Sequence, residues 1–242
     1  MRRTIHLHPT ADLAERVLLP GDPGRALRLA QALLESPKMF NHHRGLWGYT
    51  GQAGDGESLT IQSTGMGGPS AAIVVAELAD LGARRFVRVG TCGAIDRSLS
   101  LGDLLIVRGA LSADGTSRAL GADGRVAPSA ALLSALLAAA PPGARSGAVV
   151  STDLFYDGPA GQEQAWQDGG ALAVEMETAS LFALARRREL DAASLLVVSD
   201  LVLPARERID DGALAAAEEL MGAVATRAVA VAGRPGGRSG VA

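Results

Sequence analysis

Short apolar runs, many of them β-branched, alternate along this chain with longer stretches whose apolar positions recur at helical spacing. The short runs predict strands at 17–19, 59–63, 86–89, 104–107, 148–151, 171–174 and 195–199. Continuous apolar stretches such as Leu195-Leu196-Val197-Val198 predict strands covered on both faces. The longer stretches predict helices at 24–35, 69–81, 128–140, 177–188 and 211–231. Pro69 suits a first helical position, Gly82 a stop, and Pro141-Pro142 closes the helix before it. Segments 51–56 and 114–124 read as turns or hairpin ends. Strands alternating with helices make a single α/β domain with a central mixed β-sheet flanked by helices. No repeat or linker divides it, so the domain is expected over 1–232. The Gly-rich segment 233–242 reads as a disordered tail.

Composition narrows the chemistry. The chain has 242 residues and one cysteine, Cys92, so an internal disulfide and a Cys-rich zinc site are excluded. Of 23 basic residues only Lys38 is lysine. Schiff-base chemistry and a lysine-bearing phosphate loop are therefore disfavoured. Aromatic residues make up 3%, too few for a stacking platform, and the net charge of −3 offers no field for a nucleic-acid backbone. No apolar stretch approaches the roughly 20 residues that span a bilayer. The cytoplasm is the expected location. Four histidines, His6, His8, His42 and His43, lack carboxylates or cysteine at ligand spacing, so no metal is expected.

Ligands of such folds sit at the carboxyl ends of strands. After the first predicted strand comes Pro20-Gly21-Asp22-Pro23-Gly24-Arg25, whose helix-start amides and Arg25 suit an anion, or form an ordinary strand–turn–helix. Ser63-Thr64-Gly65-Met66-Gly67-Gly68 opens a helix but lacks the dinucleotide spacing. In Arg88-Val89-Gly90-Thr91-Cys92-Gly93-Ala94, an arginine stands inside an apolar strand. It needs an anion, either a bound phosphate, with Thr91 and Arg25 beside it, or an internal Asp or Glu. Cys92 reads as a core thiol rather than a nucleophile. In Val174-Glu175-Met176-Glu177, two carboxylates meet a helix start; one suits a ribose diol, and both also suit capping. Ser199-Asp200 ends a buried strand. An aspartate there is a candidate general acid, because desolvation disfavours a bare carboxylate, or else it begins a loop.

These five segments, joined by Ser151-Thr152-Asp153-Leu154-Phe155-Tyr156, occur in an order that resembles the nucleoside phosphorylase family. The likeness runs from about residue 5 to 231 and is greatest to the bacterial hexameric purine nucleoside phosphorylases. It implies phosphorolysis of a purine nucleoside (inosine, guanosine or adenosine) to free base and ribose 1-phosphate. By matching positions, Gly21, Arg25, Arg88 and Thr91 would hold phosphate, with Arg44 from a neighbouring subunit. Met176 and Glu177 would hold the ribose, with His6, or alternatively His8, reaching the 5′-hydroxyl from the neighbour. Cys92, Gly93, Phe155, Val174 and Glu175 would line the base pocket. Ser199 and Asp200 would recognise the base, with Asp200 as the acid at N7 and Arg88 the catalytic phosphate holder. The resemblance implies no cofactor beyond phosphate as co-substrate, and a homo-oligomer, a hexamer built from dimers that share sites.

The family carries a helper arginine for that acid where this chain has Ala213; Arg206 and Arg208 are the substitutes at hand. Uridine phosphorylases share Ser63–Ser70-type and Gly90–Ile95-type segments but read uracil through a Gln-x-Arg absent from 157–170, which favours purine. A uridine phosphorylase, a methylthioadenosine phosphorylase and a nucleosidase that uses water remain the alternatives. The arginines argue against the last.

Overall fold

The computed structural model describes residues 4–232. The chain begins with β1 (Arg16–Leu19), α1 (Pro23–Leu33), β2 (Leu34–Asn41), β3 (Gly48–Ala53) and β4 (Ser58–Gln62). It continues through α2 (Gly68–Leu81), β5 (Arg85–Ala94), β6 (Leu104–Ser112), α3 (Gly115–Ala119) and β7 (Arg125–Val126). Next come α4 (Ala130–Ala139), β8 (Arg145–Ser151), α5 (Gln162–Asp168), β9 (Ala171–Glu175) and α6 (Thr178–Arg188). The long β10 (Asp191–Leu201), the short β11 (Glu207–Arg208) and α7 (Asp211–Val231) complete it.

All strands join one mixed sheet. Because β10 pairs with both β5 and β6, the strands β5, β10, β6, β8 and β9 close into a ring. The β1–β4–β3–β2 wing extends from β5. The period of two along the strands decides which side each residue serves. Val17, Leu19, Phe86, Leu196 and Val198 join a core with α2 and α6. Their neighbours Leu18, Val87, Val89, Leu195 and Val197 join a second core with α1, α4 and α7. The predicted double burial of these strands is thus observed.

Several expectations on elements are corrected. The helix expected at 24–35 ends at Leu33, because Leu34 enters β2. Within 51–56 only the end is a turn; β3 runs to Ala53. Segment 114–124 contains α3, which Asp114 caps by accepting from Ser117 N–H at 2.7 Å. α5 was not expected at all. The tail at 233–242 lies outside the described residues.

Strands β1, β4, β5 and β10 run parallel, so their carboxyl ends share one edge. β9 returns antiparallel to β5, pairing Gly93 with Val174, and lays Glu175–Glu177 across that edge.

Candidate active site

At this edge lies a cleft of about 480 Å³. One end is charged. Arg88, on β5, is buried at 5% exposure. Its Nε donates to Glu175 Oε2 at 3.0 Å, and its Nη2 pairs with Glu177 Oε2 at 2.5 Å. Of the two sequence readings of Arg88, the internal pairing is observed, and the residue also lines the cleft. Burial opposes its charge, but the Glu177 and Glu175 carboxylates outweigh that and hold its pKa above the ordinary arginine value. Gly90 makes this posture possible. A Cβ there would sit 2.7 Å from the Arg88 guanidinium carbon. Gly21 flanks the same guanidinium: its Cβ would lie 4.0 Å from Arg88 Nη1.

Glu177 also accepts from the Gly67 amide at 2.6 Å, delivered by a glycine at φ +84°. Burial raises its pKa above the usual glutamate value; Arg88 opposes this shift and Glu175 adds to it. Glu175 is spent internally. Its carboxylate accepts from Arg88, from Ser151 Oγ and from the Glu177 and Thr178 amides. Expected to line the base pocket, it borders the cleft, but its carboxylate serves as the anchor of Arg88.

Arg25 reaches the cleft from α1, with Nε donating to Glu218 Oε1 at 2.6 Å. The amides at that helix start are not open to an anion as expected. Asp22 caps them, accepting from Gly24 N–H at 3.1 Å and Arg25 N–H at 2.7 Å.

Asp200, near the end of β10, lines the same cleft. β10 carries a bulge opposite Cys92 and Gly93, between Val198 and Asp200. The extra residue, Ser199, re-aims the strand end. Ser199 Oγ donates to Asp200 Oδ2 at 2.7 Å and lies 3.4 Å from the Cys92 carbonyl. Cys92, Gly93, Val174, Phe155 and Trp166 line the same cleft. Burial pushes the Cys92 thiol up, which suits a core thiol. Arg208 faces Asp200 across the β10–β11 ladder, and the Arg206 guanidinium lies 5.0 Å from the Phe155 ring centre. Both arginines line the cleft.

A family model described as "Phosphorylase superfamily" matches residues 15–232. The chain belongs to the phosphorylase superfamily. It is 40% identical over 199 residues to a DeoD-type purine nucleoside phosphorylase of Alkaliphilus metalliredigens, covering 79% of this chain and 84% of that one. A DeoD-type enzyme of Exiguobacterium is 35% identical, covering 90% and 94%. A guanosine phosphorylase of Halorubrum lacusprofundi is 37% identical, covering 77% and 78%. Among solved structures, uridine phosphorylase from Vibrio fischeri superposes with a TM-score of 0.83 at 28% identity, covering 95% of this chain and 98% of that one. The superfamily's single-domain α/β fold is thus the fold of this chain.

Thirteen expected residues, from Gly21 to Asp200, border this one cleft; Thr91 and Met176 are among them. His6 and Arg44, expected to serve a neighbour, do not. His6 Nδ1 bonds Glu77 Oε1 at 2.8 Å, and the Glu77 carboxylate also takes the amides of Ile5, His6 and Leu7. Its pKa falls below the usual value: desolvation opposes that fall, and the hydrogen bonds from His6 and Leu7 outweigh it. His8 stacks on His43 at 3.8 Å. Arg44 is exposed in a left-handed conformation at φ +59°. Sequence reasoning missed Met66, Gln162, Glu163 and Trp166 as cleft residues. The spacing of Gln162 and Trp166 on α5, one helical turn apart, was the available signal.

Proposed function

We propose that this chain catalyses phosphorolysis of purine nucleosides, inosine, guanosine or adenosine, to free base and ribose 1-phosphate. The observation that carries the reading is one cleft lined by Arg25 and Arg88, by Glu177 paired to Arg88, and by Asp200. The DeoD-type relatives support the purine assignment.

Each group has a task in that reaction. Arg25, Arg88, Thr91 and Gly21 hold phosphate, joined by Arg44 of a neighbouring subunit. Glu177 accepts the ribose hydroxyls, and Met176 covers the sugar. His6 of the neighbour meets the 5′-hydroxyl. A phosphate oxygen attacks C1′ as the bond to N9 breaks, and the electron pair leaves with the base. Asp200 gives its proton to N7, and Ser199 steadies the carboxyl. Cys92, Gly93, Phe155 and Val174 wall the base, with Glu175 behind them as the Arg88 anchor. Glycosidic cleavage builds positive charge on the sugar and negative charge on the base; phosphate meets the first and the proton the second. The chemistry asks for phosphate as co-substrate and for no metal or organic cofactor. Shared sites require a homo-oligomer, read here as a hexamer of dimers, at work in the cytoplasm.

The test is turnover of inosine, guanosine, adenosine, methylthioadenosine and uridine with and without phosphate. Purine nucleosides are expected to be cleaved only with phosphate. Phosphate-independent release would make the protein a nucleosidase. Cleavage of uridine alone would favour the second reading, which Gln162 in the cleft wall and the uridine phosphorylase likeness support. Asp200→Ala is expected to lower kcat by about 10²–10⁴-fold, the usual worth of a positioned acid. Full activity in that variant would remove Asp200 from the mechanism.

A further inference from the structure

We propose that Glu218 is a positioning residue of the anion site, which aims the Arg25 guanidinium at phosphate and keeps it from collapsing onto Glu177. The proposal rests on the phosphorolytic reading of the cleft and adds a residue to it.

Glu218 lies on α7, and its side chain is only 3% exposed. A carboxylate so buried is costly unless paired. Two arginines from α1 pair with it: Arg25 Nε on Oε1 and Arg28 Nη2 on Oε2, each at 2.6 Å. The two partners differ. The Arg28 side chain is 48% exposed, whereas that of Arg25 is 9% exposed and lines the cleft. Glu218 takes only the Nε of Arg25. The terminal nitrogens of that guanidinium make no hydrogen bond among the described residues and form the fork left for an anion.

Arg25 has a second possible partner. Its positive charge acts on the Glu177 carboxyl, which lines the same cleft. With no anion bound, an unrestrained arginine would settle on that carboxylate, occupying the group that reads the sugar. The fixed carboxylate behind Arg25 prevents this. Glu218 also lies four residues beyond Leu214, which lines the cleft from the first turn of α7. One helix therefore touches the wall of the cleft and holds the arginine of its anion end.

A sign distinguishes this role from simple charge balance. Removing a negative charge beside an anion site would tighten phosphate binding if only charge mattered. If Glu218 acts by aiming Arg25, its removal weakens binding instead. The variant is Glu218→Gln, which keeps the volume and one hydrogen-bond acceptor so that the fold survives. Phosphate binding to the free enzyme is measured by calorimetry, beside steady-state kinetics with inosine. Glu218→Gln is expected to raise the phosphate Kd and KM about tenfold, the scale of one charge-assisted hydrogen bond, with kcat little changed. Arg28→Gln, which removes the exposed partner alone, is expected to move the phosphate Kd less than about twofold.

Phosphate binding in Glu218→Gln that is unchanged or tighter would overturn the proposal. An equal loss in Arg28→Gln would overturn it as well, since the effect would then belong to the cluster as a whole. A wild-type protein that binds phosphate but cleaves no nucleoside refutes the phosphorolytic reading, while the calorimetry still decides the role of Glu218. A wild-type protein that binds no phosphate overturns both.

Discussion

Arg88 shows how one residue carries two demands. Its buried charge is held by Glu175 and Glu177, so it is fixed before any ligand arrives. Preorganised charge costs no reorganisation during the reaction. That posture depends on a hydrogen atom at Gly90, since a methyl group there would press on the guanidinium. Gly90→Ala is therefore expected to raise the phosphate KM at least about tenfold, more than it lowers stability, as displaced charge-assisted bonds are worth roughly 1.5–3 kcal/mol. Phosphate titration of the variant checks this; an unchanged KM would free Gly90 from that role. Glu177 carries a second expectation. Burial raises its pKa, so it takes up a proton at a higher pH than an ordinary glutamate. The groups facing it are Arg88, Glu175 and Arg25. Falling pH removes its charge from the free enzyme, and the acid limb of kcat/KM for the nucleoside should lie above pH 4.5, the ordinary glutamate value. A limb at or below that value would contradict the assignment.

Elements decide where these residues point. The bulge in β10 turns Asp200 toward the cleft, and the glycines before α2 deliver the Gly67 amide to Glu177. Residue types at both places were legible in the sequence. The bulge was not, because a ladder shift is a property of two strands and leaves no mark in one. The β2–β3 pair was missed for a related reason: its polar and glycine positions conceal the alternation that pairing makes useful. Near that wing, Arg16 at the start of β1 clasps Asp55 in the β3–β4 turn through two bonds of 2.6 Å. The hydrogen bond from Arg16 lowers the Asp55 pKa from 3.8 to about 2. A depressed carboxylate stabilises the fold above its unfolded value, and that contribution is lost as pH falls from 3.8 toward about 2. Asp55→Asn should flatten this part of the acid-unfolding curve, which denaturation between pH 2 and 5 would reveal by comparison with wild type. An identical pair of curves would leave the clasp without effect on stability.

At the scale of the whole molecule, two helix layers pack on the sheet, and the cleft lies at the edge where its parallel strands end. His6 and Arg44 stand away from that cleft, each in a held posture: His6 on Glu77, Arg44 in a left-handed turn. Strained conformations persist where the surrounding structure overdetermines them. If they serve a neighbouring subunit, an Arg44→Ala chain and an Asp200→Ala chain, each impaired alone, should regain activity when co-assembled. One mixed site then combines both intact residues. Separate or mixed preparations of equal low activity would rule out sharing.

The sequence by itself determined the α/β class, the buried strands and the chemical inventory of the site. Those follow from local periodicity and from residues that are costly to bury without a purpose, Arg88 above all. Only the tertiary structure decided that Asp22 closes the helix-start amides, that Glu175 is spent on Arg88, and that Glu218 stands behind Arg25 from 193 residues away. Each is a pairing of polar groups brought together by packing, and the partner of a buried charge is chosen by distance in space rather than along the chain.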